Sequence, residues 1–404
     1  MFTGLVKNEF IKLFSKKKTY IILGLFIILL IILAFINETS EKDYFYYNDL
    51  DFQIQNIQEQ IKYEKEYQES IKSQTELSEE EIEMNLRYSK EYINSLEEEL
   101  ISLQNKKNVN YDWREDYKGR LEYIKEQVEY LSEGEISKDE ARQKASFLQE
   151  IEKIEWLLST DTSPDDEHLN TSANYLYTNI AIISAAFLTF GLILLSGEYN
   201  PGTLKFLLIQ PVTRIKVLLS KFFVMVLSSL ALIIGGQGLV TLIVGLLKGF
   251  GNFQRPMLVG QKFEVIMENG YQTMQDVSGS GNFIPLWKYI ILMLILEVFL
   301  IITITAFIFM ISTLSKSSIV ATTLGISLLL GSNIIYSLST KYRKLSYLNF
   351  FHFGDIEGIL SGSIVRQTNA FLFTYTNVII VCIVSTLVFV GIALGVFKKR
   401  DLLI

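Results

Sequence analysis

The chain has 404 residues, of which 49% are hydrophobic and 13% aromatic, and its mean hydropathy is positive. Because the apolar residues lie in long blocks, this composition excludes a wholly soluble protein. The net charge of -7 hides two opposite parts. Residues 37–174 carry 35 Asp+Glu and 16 Lys+Arg, a net of -19, whereas the rest carries 21 Lys+Arg and 9 Asp+Glu, a net of +12. Cys382 is the single cysteine, which excludes an internal disulfide.

The N-terminal segment predicts a surface helix followed by a membrane span. Apolar and basic residues alternate at helical spacing over residues 1–15, which is typical of a helix lying on an anionic membrane. Residues 20–36 form an apolar run just long enough to cross about 30 Å of hydrocarbon. A signal peptide is the rival interpretation, but no small-residue cleavage site follows Ile36. We therefore predict a retained first span.

Residues 37–174 are predicted to form an acidic helical insert outside the membrane. Apolar residues recur at alternating steps of four and three over residues 82–103 and again over 117–131, which is typical of antiparallel coiled coil. Ser78 and Ser137 are predicted to open helices through capping boxes. We interpret the acidity as a solvated surface. Turns that divide the insert into about four helices are predicted near residues 75–78, 105–111 and 132–137.

Five more apolar runs follow the insert, which makes six predicted spans. Six spans place both termini on one side, and most basic residues near span ends then fall on that side, as the positive-inside rule requires. The termini are therefore predicted to be cytoplasmic. Lys341, Arg343 and Lys344 violate the rule, because this scheme puts them outside. The five runs cover about 178–196, 217–247, 286–311, 317–339 and 377–397.

Two of the segments between spans are too polar or too broken to cross a membrane. Residues 249–285 contain several glycines and no clear period, and we predict a loop or a small hairpin. Residues 345–373 are apolar and rich in aromatic residues. This second segment is predicted to form two short helices that dip into the outer leaflet as an external re-entrant segment.

Glu297 is the one carboxylate near the centre of a predicted span. An isolated charge at that depth costs about 2.5–3.5 kcal/mol on insertion scales, so the side chain is expected to face protein or a water-filled path. Two interpretations stay open. Either Glu297 lines the translocation path as a cation or proton site, or its carboxyl is hydrogen-bonded to a neighbouring helix through Gln237 or Asn333.

The most informative motif is the polar loop between the second and third predicted spans. Pro201 can open a helical turn, Pro211 ends that turn, and Thr213 can cap the next helix. The loop is therefore predicted to hold a short helix set crosswise between two spans. It begins Gly197-Glu198-Tyr199-Asn200-Pro201-Gly202-Thr203-Leu204-Lys205 and continues to Pro211-Val212-Thr213-Arg214.

This loop resembles the cytoplasmic coupling helix of the ATP-binding-cassette type-2 (ABC-2 type) permeases. The helix before the first span, the segment 345–373 and the ending Phe397-Lys398-Lys399-Arg400-Asp401 are similar to the same family. The resemblance implies a permease subunit in a bacterial plasma membrane, paired with a second permease copy or paralogue. It also implies a separate cytoplasmic ATPase subunit, which uses ATP and Mg. The implied coupling residues of the loop 197–216 are Glu198, Gly202, Thr203, Pro211 and Arg214.

Taken together, these patterns predict an all-α membrane protein with six transmembrane helices, an N-terminal amphipathic interfacial helix and a large coiled-coil-like extracellular insert between spans one and two. The predicted domains are residues 1–36, 37–174 and 175–404. No phosphate-binding loop and no hydrolase motif occurs, so no enzyme activity, bound cofactor or nucleic-acid partner is expected. A metal site is not expected either, and the one grouping that leaves this open is His352 with Asp355 and Glu357.

The exported solute stays open among a drug, an antimicrobial peptide, a lipophilic solute and a cation. Two alternatives accompany this expectation. One is an ATP-driven mechanical transmitter that acts on an extracellular partner through the insert. The other is a sodium-extruding permease that uses Glu297.

Overall fold

The computed structural model describes residues 2–15, 17–72, 78–108, 112–132, 137–196, 213–268, 271–315 and 317–399. This part of the chain is mostly helical, as predicted. Its helices are α1 (Phe2–Phe14), α2 (Lys17–Tyr47), α3 (Leu50–Lys72), α4 (Glu79–Asn108), α5 (Trp113–Tyr130), α6 (Lys138–Thr160), α7 (Ser172–Ser196), α8 (Arg214–Lys248), α9 (Leu286–Leu314), α10 (Ser318–Leu338), α11 (Thr340–Lys344), α12 (Ile356–Ser361), α13 (Ile364–Thr368) and α14 (Tyr375–Lys399). Its strands are β1 (Pro256–Val259), β2 (Phe263–Glu268), β3 (Tyr271–Asp276) and β4 (Asn282–Pro285).

The chain divides into two compact units. One unit comprises Met1–Phe35 and Tyr123–Ile404, and the other comprises Ile36–Glu122. The predicted insert of residues 37–174 begins where the smaller unit begins but continues past its end. Helix α6, which we assigned to the insert from sequence, therefore belongs to the larger unit.

The smaller unit contains an apolar seam between α3 and α4. Ile57 and Ile61 of α3 pack with Ile93 and Leu96 of α4, and all four are less than a tenth exposed. These positions lie three or four residues apart on each helix, so each set faces one way. The periodic apolar face predicted over residues 82–103 is thus the face that α4 buries against α3.

Both predicted capping boxes are present. The amide of Glu81 donates to Ser78 Oγ at 3.3 Å, while the Ser78 amide donates to the Glu81 carboxylate at 3.0 Å. Ser137 and Glu140 make the same reciprocal pair at the start of α6. In both cases the hydrogen bonds from the serine lower the pKa of the glutamate, because they favour its charged form.

Five described helices are long and apolar enough to cross a membrane: α2, α8, α9, α10 and α14. They carry five of the six predicted spans, so the chain is a multi-pass membrane protein. The remaining predicted span, residues 178–196, lies on α7. The side chains of α7 from residue 185 onward are outside the described residues.

Helix α9 is the centre of the larger unit. It packs against α7, α8, α10 and α14. In its most apolar stretch 61% of the residues are buried by protein, compared with 17% in α14. Most side chains of this stretch of α14 are therefore left uncovered by the chain itself, whereas α9 lies inside the bundle.

Residues 256–285 form two antiparallel strand pairs, β1 with β4 and β2 with β3. The β2–β3 pair matches the predicted hairpin, whereas β1–β4 was not predicted. β4 leads directly into α9, and the amide of Leu286 donates to the carbonyl of Arg255 at 2.8 Å. The strand segment is therefore fixed to the first turn of the central helix.

Helix α6 is attached to this strand segment through side chains. Because these contacts join residues about a hundred positions apart, sequence periodicity could not indicate them. We call the three contacts the α6 latch. They are the ion pair of Arg142 with Glu264, the bond from Gln149 Nε2 to Ser280 O at 2.9 Å, and the bond from Trp156 Nε1 to Gln254 O at 2.8 Å.

The segment 345–373 consists of short helical pieces, in agreement with its predicted broken character. Two 3-10 turns, at residues 346–348 and 350–352, precede α12 and α13. Phe353 and Phe373 are each 1% exposed, and their rings pack edge to face with centroids 5.6 Å apart. The segment therefore buries its own aromatic residues, although its depth in a membrane stays a prediction.

Candidate functional site

One end of the helix bundle is closed by a buried apolar cluster, which we call the basal cluster. Phe309 at its centre is 1% exposed and packs on Phe222, with ring centroids 5.2 Å apart. Four separate helices contribute, so the cluster ties their ends together. Its members are Leu5 of α1, Val217 and Leu218 of α8, Phe309 of α9, and Ala393 and Phe397 of α14.

Helix α1 presents two different faces at this end. Leu5 is 8% exposed and packs in the basal cluster, whereas Ile11 and Phe14 are 59% and 47% exposed. On the polar side, Lys12 pairs with Glu9 at 2.9 Å. A helix with apolar residues exposed beside basic residues is suited to a membrane surface. The interfacial position itself remains a prediction.

The predicted coupling loop joins the bundle at the basal cluster. Thr213 is the N-cap of α8, with ψ of 138° and no side-chain capping bond. Val217, one turn further on, is already in the cluster. Glu198, Gly202, Thr203 and Pro211 lie outside the described residues, as does the side chain of Arg214. The structure thus describes the anchor of the loop but not its predicted contacts.

Glu297 is buried among three apolar helices, at 1% exposure. Gln237 Nε2 on α8 donates to Glu297 Oε1 at 2.9 Å. Asn333, the other predicted partner, is exposed. Among the described residues the carboxyl therefore faces protein, which agrees with the expectation that it avoids lipid.

The polar group around Glu297 is incompletely bonded. Glu297 Oε2, Gln237 Oε1 and the hydroxyl of Ser184 make no well-aligned hydrogen bond among the described residues, although the Ser184 hydroxyl lies close to the carboxyl of Glu297. Unsatisfied buried polar atoms cost free energy. The unsatisfied atoms indicate that this group is either an imperfectly packed site or a binding site for a small polar ligand. Ser184 was missed because a single serine in an apolar run carries little signal.

A second buried charge, Arg255, lies at the opposite end of α9, next to the strands. Arg255 is 7% exposed and donates through one terminal nitrogen to Asn174 Oδ1 at 3.0 Å. Burial lowers its pKa, and the nearby acids Glu167 and Asp166 oppose that effect. Burial also raises the pKa of Asp166. The sequence alone drew attention to Asp166 and Glu167 only as part of a solvated acidic linker, and it did not indicate Arg255 or Asn174, which lie in distant parts of the chain.

His352 belongs to a hydrogen-bonded group at the end of α10. Its Nε2 lies 3.0 Å from Ser332 Oγ, and its ring stacks on Tyr336 with centroids 4.6 Å apart. Asp355 is used elsewhere, since its carboxylate accepts the Gly358 amide at 2.8 Å and caps α12. No group of metal-ligating side chains occurs among the described residues.

We expect the stability of the protein to fall on acidification because of His352. Burial lowers the pKa of His352 to about 4, below its ordinary value near 6.5. The unfolded chain therefore binds the proton more readily between these values, and stability present above pH 6.5 is lost as the pH falls towards 4. Thermal midpoints in detergent at pH 5 and 7.5 measure this loss. The loss of stability should be smaller in His352→Gln. An equal loss in that variant would contradict the assignment of this pH dependence to His352.

Arg343 is one of the three basic residues that the predicted topology places outside, and it makes a local structural contact. Its guanidinium donates to the carbonyls of Tyr336 and Ser337 at 3.4 and 3.2 Å. These carbonyls belong to the last turn of α10, where a cation is favourable because the helix dipole is negative there. Arg343 is thus placed by a local structural contact, which the rule does not consider.

The sequence matches the family described as ABC-2 family transporter protein over residues 4–402, which is nearly the whole chain. The matched range includes the described helices that could span a membrane and the loop outside the described residues. No curated protein and no solved structure matches the chain significantly.

Proposed function

The chain belongs to the ABC-2 family of transporter proteins, and we propose that it is the membrane permease subunit of an exporter powered by a separate ATPase. In this proposal the ATPase subunit binds ATP and Mg, and the permease chain provides the path for the solute. Two permease chains form the membrane dimer. Six spans with cytoplasmic termini complete the topology.

The basal cluster is the observation that carries this proposal. The predicted coupling loop 197–216 continues into α8, and the first turns of α8 pack with α1 and with the ends of α9 and α14. A force applied to the loop would therefore reach several helices together, because a close-packed cluster transmits displacement instead of absorbing it. This arrangement supports a coupling role for Glu198, Gly202, Thr203, Pro211 and Arg214.

The coupling role predicts the effect of combining Gly202→Pro with Arg214→Ala. We expect ATP-driven export to fall at least tenfold, and the stimulation of the ATPase by the permease to disappear, because the loop no longer fits its docking site. The chain is co-expressed with a candidate ABC ATPase subunit, purified as a complex and reconstituted in vesicles.

Arg366→Ala serves as the control for that experiment, because Arg366 is exposed on α13, away from the basal cluster. It should leave both export and ATPase stimulation unchanged. An intact complex with normal coupling in the double variant would remove the loop from the mechanism.

A second candidate function, an ATP-driven mechanical transmitter, is favoured by the α6 latch. The latch joins a helix of the predicted extracellular insert to the strands, and the strands continue into α9. Movement of α9 would therefore be passed to α6. In this alternative the insert acts on an extracellular partner and no solute crosses.

Arg142→Glu separates the transmitter from the exporter. The substitution sets two carboxylates against each other at Glu264, so the latch opens. A transmitter should lose its whole-cell phenotype while the ATPase rate in vesicles is unchanged, and the charge swap with Glu264→Arg should restore it. Arg87→Glu, which breaks an exposed ion pair within α4, is the control. A normal phenotype with an open latch would count against the transmitter.

The sodium-extruding alternative depends on Glu297. The unpartnered Oε2 and the hydroxyl of Ser184 are oxygen atoms of the kind that a hard cation accepts. Burial at 1% exposure and the bond from Gln237 favour packing instead. Drug, antimicrobial peptide, lipophilic solute and cation thus remain the solute classes within this proposal.

A further inference from the structure

A cavity of about 620 Å³ lies between the strands, the segment 345–373 and the ends of two candidate spans. Its size is typical of ligand sites, which measure roughly 300–1,000 Å³. The walls are mainly apolar, and Phe263, Leu360 and Phe373 among them are each less than a tenth exposed. The cavity is partly open, so a ligand could enter without unfolding the wall.

The rim of the cavity is held by main-chain hydrogen bonds. The amides of Gly260 and Gln261 donate to the carbonyls of Leu360 and Ser361 at 2.9 and 2.8 Å. Gly362 follows with φ of +94°, and a Cβ there would lie 2.2 Å from the carbonyl oxygen of Gln261. The close approach therefore requires glycine. Because these contacts are backbone contacts, the cavity is preformed.

The cavity lies where candidate spans begin. Leu292 of α9 and Thr376 of α14 line it; Thr376 lies in the first turn of its helix and Leu292 in the second turn of its own. Beside it, Phe371 and Leu372 are 53% and 57% exposed, and Trp287 is 45% exposed. Exposed aromatic residues at a span end are typical of the membrane–water boundary. This pattern favours a position of the cavity mouth at the level of lipid headgroups.

Lys262 adds a charge to this apolar site. Its side chain is exposed and lines the cavity. Among the described residues its ammonium group makes no ion pair, whereas Lys65 and Lys125 do. The only other polar side chains of the lining are uncharged: Gln261, Asn282, Thr374, Tyr375 and Thr376. An apolar pocket with one free cation at its edge suits an amphiphile with an anionic head.

We propose that this cavity binds one acyl chain of an anionic membrane lipid, with the headgroup at Lys262. The lipid enters from the adjacent leaflet and covers Phe371 and Leu372. This site lies at the opposite end of α9 from the basal cluster, so the proposal does not depend on solute export or on the ATPase.

Photo-crosslinking tests the proposal in the full-length chain. The protein is reconstituted in vesicles that contain phosphatidylglycerol with a diazirine in the acyl chain, irradiated and analysed by mass spectrometry. We expect adducts on residues 259–263 and 359–376. Thr376→Trp, which fills the mouth, should reduce these adducts at least fivefold. The same change at the lipid-facing Ile383, which is 43% exposed on the same helix, should leave them unchanged.

The headgroup contact is tested with a charge reversal. Lys262→Glu should lower labelling by phosphatidylglycerol severalfold, whereas Lys288→Glu, an exposed lysine in the first turn of α9 outside the lining, should not. Wild-type labelling by a phosphatidylcholine probe should be weaker. Equal labelling by both lipids, or adducts that persist in Thr376→Trp, would overturn the proposal. Displacement of the probe by an exported solute would reassign the cavity to that solute and also overturn it.

Discussion

Glu297→Leu is expected to destabilise the protein by about 1–3 kcal/mol, although it replaces a buried carboxyl with an apolar side chain. The reason is Gln237, whose amide donates to Glu297 Oε1 and would be left without any hydrogen bond among the described residues. Gln237→Leu should cost a similar amount or more, because it leaves the carboxyl without its donor. The double variant should be close to wild type, since neither member of the Gln237–Glu297 pair is then left without the other.

The measurement is a double-mutant cycle on thermal midpoints in detergent, combined with cation extrusion from sealed vesicles at matched protein level. Glu297→Gln is the decisive fourth variant, because it keeps the size and can still accept the bond from Gln237. A packing role predicts wild-type stability and transport for Glu297→Gln. Loss of sodium extrusion with normal stability would instead establish the sodium alternative.

Phe309→Ala is expected to cost about 3–5 kcal/mol and to abolish coupling to the ATPase. The ring is 1% exposed, packs on Phe222 and fills the centre of the basal cluster, so its removal leaves a cavity that the helix ends cannot close. Because α1, α8 and α14 meet at this ring, the loss of packing should also loosen the anchor of the predicted coupling loop.

Thermal unfolding and permease-stimulated ATPase activity measure the two effects. Ile291→Ala is the matched control, because Ile291 lies on the same helix at 47% exposure and its removal leaves no protein cavity. Phe309→Leu should recover most of the stability and part of the coupling. A stable Phe309→Ala variant with normal ATPase stimulation would show that the basal cluster does not couple the loop to the other helices.

Local patterns in the sequence predicted the local structure. The periodic apolar face of α4 and the capping boxes at Ser78 and Ser137 depend on residues within a few positions of each other, so spacing alone indicated them. The partner of that face, α3, was not indicated. Glu297 was conspicuous because it is a lone carboxylate in an apolar run. One of its two predicted partners, Gln237, was right because few polar side chains occur in the neighbouring spans.

Contacts between distant residues were not predictable in this way. Arg255 and Asn174 are 81 positions apart, and Arg142 and Glu264 are 122 apart. Neither pair belongs to a periodic pattern, and charged residues such as Arg142 are common in the acidic insert. The boundary of the insert was therefore set by composition, whereas the α6 latch assigns its last helix to the larger unit. The coupling residues of the loop stay a prediction.

The burial of α9 has a consequence for how the bundle can change shape. Of its 29 residues 18 are buried, on one face in the first half of the helix and on nearly every side over residues 303–313, and at about 1.5 Å per residue it is roughly 43 Å long. Rotation or sliding of such a helix would break most of this side-chain packing, whereas only 17% of the most apolar stretch of α14 is buried by protein. In an exporter the less buried helices should therefore tilt as rigid bodies about α9, which keeps its position, whereas the transmitter alternative requires α9 itself to move. Opening and closing of the bundle would then change the spacing between the outer helices and leave the packing around α9 unaltered.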